Sequence, residues 1–239
     1  ASEAMQLFKE ANRMLNQLDA VYQTHGVVNI MDANADGDDL LLNGKRFPLL
    51  RQQAAKLKKD DPFLCLSDFV RPLSSGITDK IGAFATTVDA EMEQLYAEDD
   101  YKRMLAQTLS DRLAEATAEK LHEDVRKKLW GYAPDENLSV KDLHNEKYQG
   151  IRPAVGYPSL PDQSVNFLLD ELLDMKQIGI SLTENGMMKP HASVCGLMFA
   201  HPASRYFSIG KIGEDQLADY AARRGMSIEE TKKFLAANL

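Results

Sequence analysis

Only two cysteines, Cys65 and Cys195, occur in 239 residues. They are too few and too far apart for a disulfide framework or a cysteine-rich zinc site. Both are expected to be buried, reduced thiols, which suits a cytoplasmic protein. Basic residues are also outnumbered: 28 Lys and Arg face 36 Asp and Glu, a net charge of −8. A nucleic-acid partner needs a concentrated cationic surface and is not expected. No apolar run approaches the roughly 20 residues that span a bilayer, so no membrane association is expected. The opening Ala1-Ser2-Glu3-Ala4-Met5-Gln6 lacks the basic stretch and apolar core of a secretory signal. Glycine-rich phosphate loops are missing too. No Gly-x-Gly-x-x-Gly follows an expected strand and no Gly-x-x-x-x-Gly-Lys-Ser/Thr occurs, which leaves Rossmann and P-loop nucleotide sites without support. His25, His122, His144, His191 and His201 are scattered without metal-ligand spacing, and no metal site is expected.

One acidic run imitates a metal site. Asp32-Ala33-Asn34-Ala35-Asp36-Gly37 matches the first half of an EF-hand calcium loop. The second half fails, with Asp39 where an apolar residue is wanted and Asn43 where a bidentate glutamate is needed. A polar hairpin turn favours the same residues.

What is present organises into short strands and separate helical blocks. Met5, Leu7, Phe8, Ala11, Met14, Leu15 and Leu18 recur at helical spacing between Ser2 and about Tyr22. Val27–Met31 and Leu40–Leu42 read as a hairpin or two adjacent strands around the turn formers at 32–38. Phe47 to Lys59 reads as a helix stopped by Pro62, and Phe63–Leu66 with Asp68–Val70 as a short buried strand, which puts Asp68 near a strand end. Ile81–Val88 is a further strand. A long helical region follows from about Ala90 to Trp130, with Asp99-Asp100 as its candidate break. Ser139 is placed to cap a short helix, Val165–Gly179 reads as a helix, and Ile180–Leu182 as a strand. Ala192–Ala200 and Tyr206–Ile212 are expected to pair antiparallel. Asp215–Arg224 and Ser227–Ala237 close the chain as helices, with Ser227 and Glu230 at capping-box spacing. Together these predict a single α+β domain with a central, largely antiparallel twisted sheet flanked by helices.

Two segments carry chemistry. On the long helix, Leu105, Leu109, Leu113, Leu121, Val125 and Leu129 form one stripe, while Asp111, Glu115, His122 and Arg126 follow another in steps of 4, 7 and 4. The second stripe is either a solvated face or the wall of a cleft that receives a polar partner. The denser signal is Arg152-Pro153-Ala154-Val155-Gly156-Tyr157-Pro158, continued to Pro161. Three prolines stiffen it and keep it out of a helix, leaving the amides of residues 154–157 open to a ligand. Arg152 suits a carboxylate, Gly156 permits close approach, and Tyr157 offers a π-face to a sulfonium or ammonium. A surface proline turn is the competing reading.

The order of several longer motifs goes further. Leu7-Phe8-Lys9-Glu10-Ala11-Asn12, Leu66-Ser67-Asp68-Phe69-Val70, Ile81-Gly82-Ala83-Phe84-Ala85, His122-Glu123-Asp124-Val125-Arg126, Trp130-Gly131-Tyr132-Ala133-Pro134, Tyr148-Gln149-Gly150-Ile151-Arg152-Pro153-Ala154, Gly156-Tyr157-Pro158 and His201-Pro202 occur in sequence. Across nearly its whole length the chain resembles the C-terminal activation domain of cobalamin-dependent methionine synthase. Val155 departs from that pattern where proline is frequent. So does Pro190–Gly196, with His191 and Cys195 where small or hydroxyl residues are common.

The resemblance implies that residues 1–239 form a fragment of a larger multidomain enzyme, a domain that binds S-adenosylmethionine. It would support reductive methylation when the cobalamin of a neighbouring domain has been oxidised to cob(II)alamin, with the electron supplied by flavodoxin or a flavoprotein reductase. The implied ligand contacts are Asp68, Arg152, Ala154, Gly156, Tyr157, Tyr206 and Phe207. Charge divides them: Arg152 for the methionine carboxylate, Asp68 for the ammonium, Tyr157 and Tyr206 for the adenosyl and sulfonium parts, and main chain from 154 to 156 for the adenine edge. Asp111, Glu115 and Glu146 are implied to face the cobalamin domain. No catalytic acid or base is implied, because cofactors carry the chemistry and the protein positions them. The isolated domain is not expected to turn over. A free-standing interaction module with the same fold is the alternative. An ordinary methyltransferase is disfavoured by the missing glycine-rich loop.

Overall fold

The computed structural model describes residues 2–54 and 61–239. Helix α1 (Ser2–Asp19) leads into β1 (Thr24–Asp36), β2 (Asp39–Leu42) and β3 (Lys45–Pro48), then β4 (Asp79–Val88). Helices α2 (Asp100–Asp124), α3 (Val140–His144) and α4 (Val165–Leu173) follow, with the short pair β5 (Ser181–Leu182) and β6 (Met188–Lys189) before β7 (Ser193–Met198). Helices α5 (Glu214–Arg224) and α6 (Ile228–Phe234) come last. Every pairing in the five-stranded sheet, ordered β3-β2-β1-β4-β7, is antiparallel. The fold is therefore the α+β domain that the sequence predicts.

The sheet is covered on both faces, and β4 shows why. Its run Ile81 to Val88 is buried throughout, the nearly continuous apolar signature of a strand with cover on both sides. Alternation sends Ile81, Ala83 and Ala85 to a core shared with Leu169 and Leu173 of α4. Phe84 points the other way and packs with Ala118 and Val125. On α2 the buried row is Ala106, Ser110, Ala114 and Ala118, small side chains at four-residue steps that let the helix lie close to the sheet, and it ends at His122. The expected leucine stripe holds only in part: Leu105 and Val125 are buried, Leu109, Leu113 and Leu121 are partly buried, and Leu129 is exposed.

Several expected elements differ. The expected helix 47–59 is absent over 47–54, and residues 55–59 lie outside the described set. Residues 45–48 instead form the edge strand β3, with Phe47 opposite Leu40 and buried in the main core. Pro48 is tolerated there because an edge strand needs no donor on its outer side. Residues 63–70 are not a strand. Cys65 makes one bridge to Arg51, and Leu66–Phe69 forms a 3-10 turn. The Asp68 carboxylate closes that turn by accepting the Cys65 N–H at 2.8 Å, a local bond that competes with strand pairing. The helix from Val165 ends at Leu173, and Asp174 in the left-handed region (φ 49°) leads to a separate 3-10 turn at Met175–Ile178. Residues 206–212 do not pair with β7, because both edges of β7 are occupied. One is taken by β4. The other is taken by the proline-rich strip, through Ile151 N–H to Phe199 O at 3.0 Å, Leu197 N–H to Pro153 O at 3.0 Å and Val155 N–H to Cys195 O at 2.9 Å.

The helix break does occur: residues 95–99 are non-helical, Tyr96 has φ 59°, and Asp99 caps α2 by accepting the Lys102 N–H. Ser139 and Ser227 cap α3 and α6 as expected. The run 32–37 is the end of β1 and the left-handed glycine of its turn, Gly37 with φ 63°. Asp36 and Asp39 pair with Arg46, and Asp32 pairs with Lys80, while no metal-ligand cluster occurs among the described residues. No described helix is long and apolar enough to cross a membrane.

Candidate functional site

The strip beside β7 is rigid because the fold uses most of its backbone donors. Val155 donates to Cys195, Gly156 to Leu160 at 2.9 Å and Tyr157 to Ala154 at 3.3 Å. Of the four amides read from sequence as available, only that of Ala154 takes no protein partner among the described residues. This narrows the main-chain reading from residues 154–156 to one N–H. The strip approaches β7 closely at Gly196, where an added Cβ would stand 2.2 Å from the Pro153 carbonyl oxygen.

Arg152 emerges from the strip into a polar nest. Its own N–H donates to the Tyr206 hydroxyl at 3.0 Å. Its guanidinium donates through Nη1 to the Tyr148 hydroxyl at 3.2 Å and through Nη2 to Glu119. Burial works against the charge, but Tyr148, Tyr206 and Glu119 outweigh it and hold the guanidinium pKa above its ordinary value. His122 lies beside it, fully buried. Burial first, and then the cations Arg126 and Arg152, push its imidazole well below the usual pKa. A neutral His122 can accept from Arg152 at Nδ1 (3.4 Å) and donate from Nε2 to the Tyr132 hydroxyl (3.3 Å), a tautomer assigned from these partners. Arg126 is also fully buried, bound bidentately by Glu136 at 2.8 and 2.6 Å. The expected Asp111-Glu115-His122-Arg126 stripe is thus divided: its first half is on the surface and its second half in the core.

A groove of about 930 Å³ opens between α2, α3 and the strip. It gathers Arg152, Ala154, Tyr157, Tyr206 and Phe207 from the expected ligand contacts, and Glu115 and Glu146 from the expected acidic face. Gly156, Asp111 and Asp68 do not line it. Gly156 adopts φ +85° with nothing within 4 Å of an added Cβ, so it serves the turn and not a close approach. The Asp68 carboxylate is bound by both terminal guanidinium nitrogens of Arg51, at 2.8 and 2.7 Å. Tyr157 is half exposed and donates to Glu115 at 3.1 Å. Burial, followed by the Glu115 charge, raises the Tyr157 pKa; burial and Glu115 likewise raise that of Asp111. His191 stands apart from the groove, its N–H donating to Glu93. Cys195 is buried, its thiol donating to Asn166 and its pKa pushed well up by burial.

The groove suits a zwitterion carrying an aromatic group. Among the described residues Arg152 Nε–H and Ala154 N–H have no protein acceptor, and Glu119 Oε1 is buried without a donor. Aromatic walls come from Tyr157, Tyr206 and Phe207. A model of the family described as "Vitamin B12 dependent methionine synthase, activation domain" matches residues 1–225. The chain belongs to this family. A solved structure described as the MetH reactivation domain bound to AdoHcy is 45% identical, with a TM-score of 0.92; the match covers 100% of this chain and 78% of that one.

Glu119, Tyr148 and His122 in this activation domain were not among the candidate contacts read from sequence. Glu119 was within reach of that reading, since it continues the Asp111-Glu115 row by one further helical step. Tyr148 carried no such signal, because its role depends on a cation stack, with Arg126 4.5 Å and Arg152 5.8 Å from its ring centre.

Proposed function

We propose that the groove binds S-adenosylmethionine and presents it to a cobalamin-binding domain of the same enzyme during reductive reactivation. The observation that carries this reading is the convergence of Arg152, the Ala154 amide and three aromatic residues on one groove, in a chain 45% identical to a domain solved with AdoHcy. Arg152 takes the methionine carboxylate. Ala154 N–H reads the ligand edge that lies against the strip, and Tyr157, Tyr206 and Phe207 receive the adenosyl and sulfonium parts. Asp68, committed to Arg51, is assigned to its turn and left out of the ligand set. Gly156 acts by shaping the turn that carries Tyr157.

When bound, S-adenosylmethionine supplies an electrophilic methyl group for a one-electron-reduced cobalt centre. This chain's own residues orient and desolvate that donor and need transfer no proton. The cobalt belongs to a neighbouring domain, and the electron donor is flavodoxin or a flavoprotein reductase. Asp111, Glu115 and Glu146 form the acidic margin that faces the cobalamin domain. The restored enzyme makes methionine from homocysteine and methyltetrahydrofolate in the cytoplasm, and the isolated domain binds without turning over.

Calorimetric titration of the domain with S-adenosylmethionine tests the reading. Saturable binding is expected, weakened roughly 10- to 100-fold in Arg152→Ala by loss of a charge-assisted contact. Absence of binding to the folded domain would refute the function and favour a free-standing interaction module. Unchanged affinity in Arg152→Ala would refute the site.

A further inference from the structure

We infer that Glu119 is the positioning residue of the site: it fixes the guanidinium of Arg152 in the orientation that receives the ligand carboxylate. The inference rests on the S-adenosylmethionine reading of the groove and adds to it a residue that the sequence reading did not select.

Arg152 needs such a residue. Its backbone belongs to an irregular strip, and its side chain has enough rotatable bonds to sweep much of the groove. The fixed points are few. Tyr206 holds the backbone N–H, the Tyr148 hydroxyl takes one Nη1 proton at 3.2 Å, and the His122 contact is long at 3.4 Å. Both side-chain contacts are to neutral groups. Glu119, bound through Nη2, is the one anion hydrogen-bonded to this guanidinium among the described residues. It stands on α2, a 25-residue helix packed against the sheet, so its carboxylate has a firm base.

The charges support the same assignment. Arg126 and Arg152 lie on the same tyrosine ring, 4.5 and 5.8 Å from its centre. Glu136 neutralises Arg126. Glu119 does the same for Arg152; without it, fully buried Arg126 and partly buried Arg152 would flank a neutral histidine as two cations. Loss of the Glu119 charge would therefore release the guanidinium and drive it away from Arg126. Glu119 is not saturated by this contact, because its Oε1 is buried with no donor among the described residues. It can keep its hold on Nη2 while Nε–H stays open to a ligand.

Two ligands separate positioning from general structural damage. S-adenosylmethionine carries the α-carboxylate, and decarboxylated S-adenosylmethionine keeps the adenosine, the sulfonium and the ammonium but lacks it. Glu119→Gln is expected to weaken S-adenosylmethionine about tenfold, as loss of a hydrogen bond to a charged group does, and to leave the decarboxylated ligand within about twofold. Glu119→Asp is expected to recover part of the loss. In an Arg152→Ala background, Glu119→Gln should add nothing, the sign that both act as one unit. The ligand-free domain gives a second readout: nitrogen-15 NMR should show slowly rotating guanidinium protons for Arg152 in wild type and averaged ones in Glu119→Gln.

Unchanged or tighter S-adenosylmethionine binding in Glu119→Gln would overturn the inference. So would equal losses for both ligands, additivity with Arg152→Ala, or unaltered Arg152 signals. A wild-type domain that binds no S-adenosylmethionine would refute the proposed function, while the NMR comparison would still decide whether Glu119 holds Arg152.

Discussion

Replacing Gly196 by alanine tests whether the groove depends on the close approach of the strip to β7. The new Cβ would sit 2.2 Å from Pro153 O, 2.8 Å from Ala154 Cα and 3.0 Å from the Pro153 carbonyl carbon. Carbon–oxygen contacts normally open at about 3.3 Å, so the strip must retreat by roughly 1 Å. These atoms are backbone, and no side-chain rotation can relieve them. The retreat strains the bonds on either side, Leu197 N–H to Pro153 O at 3.0 Å and Val155 N–H to Cys195 O at 2.9 Å, each contributing about 1 kcal/mol. With the ordinary cost of overpacking, the expected destabilisation is about 3 kcal/mol. Urea unfolding should register it as a fall in midpoint of roughly 1 M. Because residues 153 and 154 line the groove, S-adenosylmethionine affinity should fall in parallel. Gly156→Ala is the control, since nothing lies within 4 Å of its added Cβ. It should cost only the roughly 1 kcal/mol of left-handed backbone strain. Equal urea midpoints for wild type and Gly196→Ala, with equal ligand affinity, would refute the close-approach argument.

Two further outcomes follow from the buried charges. Glu136→Gln should destabilise the fold by roughly 3–5 kcal/mol in urea, because it leaves Arg126 fully buried without its counter-charge; a change below about 1 kcal/mol would show that the guanidinium finds another partner. His122 is held neutral in the fold, with a pKa well below that of the unfolded chain. Stability should therefore be complete above about pH 6.5 and decline as pH falls, where the unfolded state takes up a proton that the folded state refuses. His122→Gln should flatten that decline in urea midpoints measured from pH 5 to 8, and an unchanged slope would assign it to other groups.

The main lines of the fold were legible because they depend on local patterns. Ile81–Val88 reads as a buried strand from its apolar run, the break before α2 from Asp99-Asp100, and the caps of α3 and α6 from Ser139 and Ser227. The turn at Leu66–Phe69 arose from the local Asp68 bond, and the two pairing failures from competition by distant partners. Residues 45–48 became a strand because β2 offered an edge and the core a place for Phe47. Residues 206–212 were left unpaired because the strip already held the free edge of β7. Of the candidate site, the groove collected the arginine and aromatic residues, while Asp68 was drawn away by Arg51 from outside the motif that named it.

Neighbouring residues and their backbone preferences suffice for the antiparallel α+β scheme, the stiffness of the strip from 152 to 161 and the arginine at its head. Which groups surround that arginine was settled by packing. Glu119 and Tyr148 stand 33 and 4 residues from Arg152, and what brings them to one guanidinium is the packing of α2 and the strip on opposite sides of one groove. Which charges are neutralised, which donors are used and which remain for a ligand depends on distances in space, and no spacing along the chain encodes them.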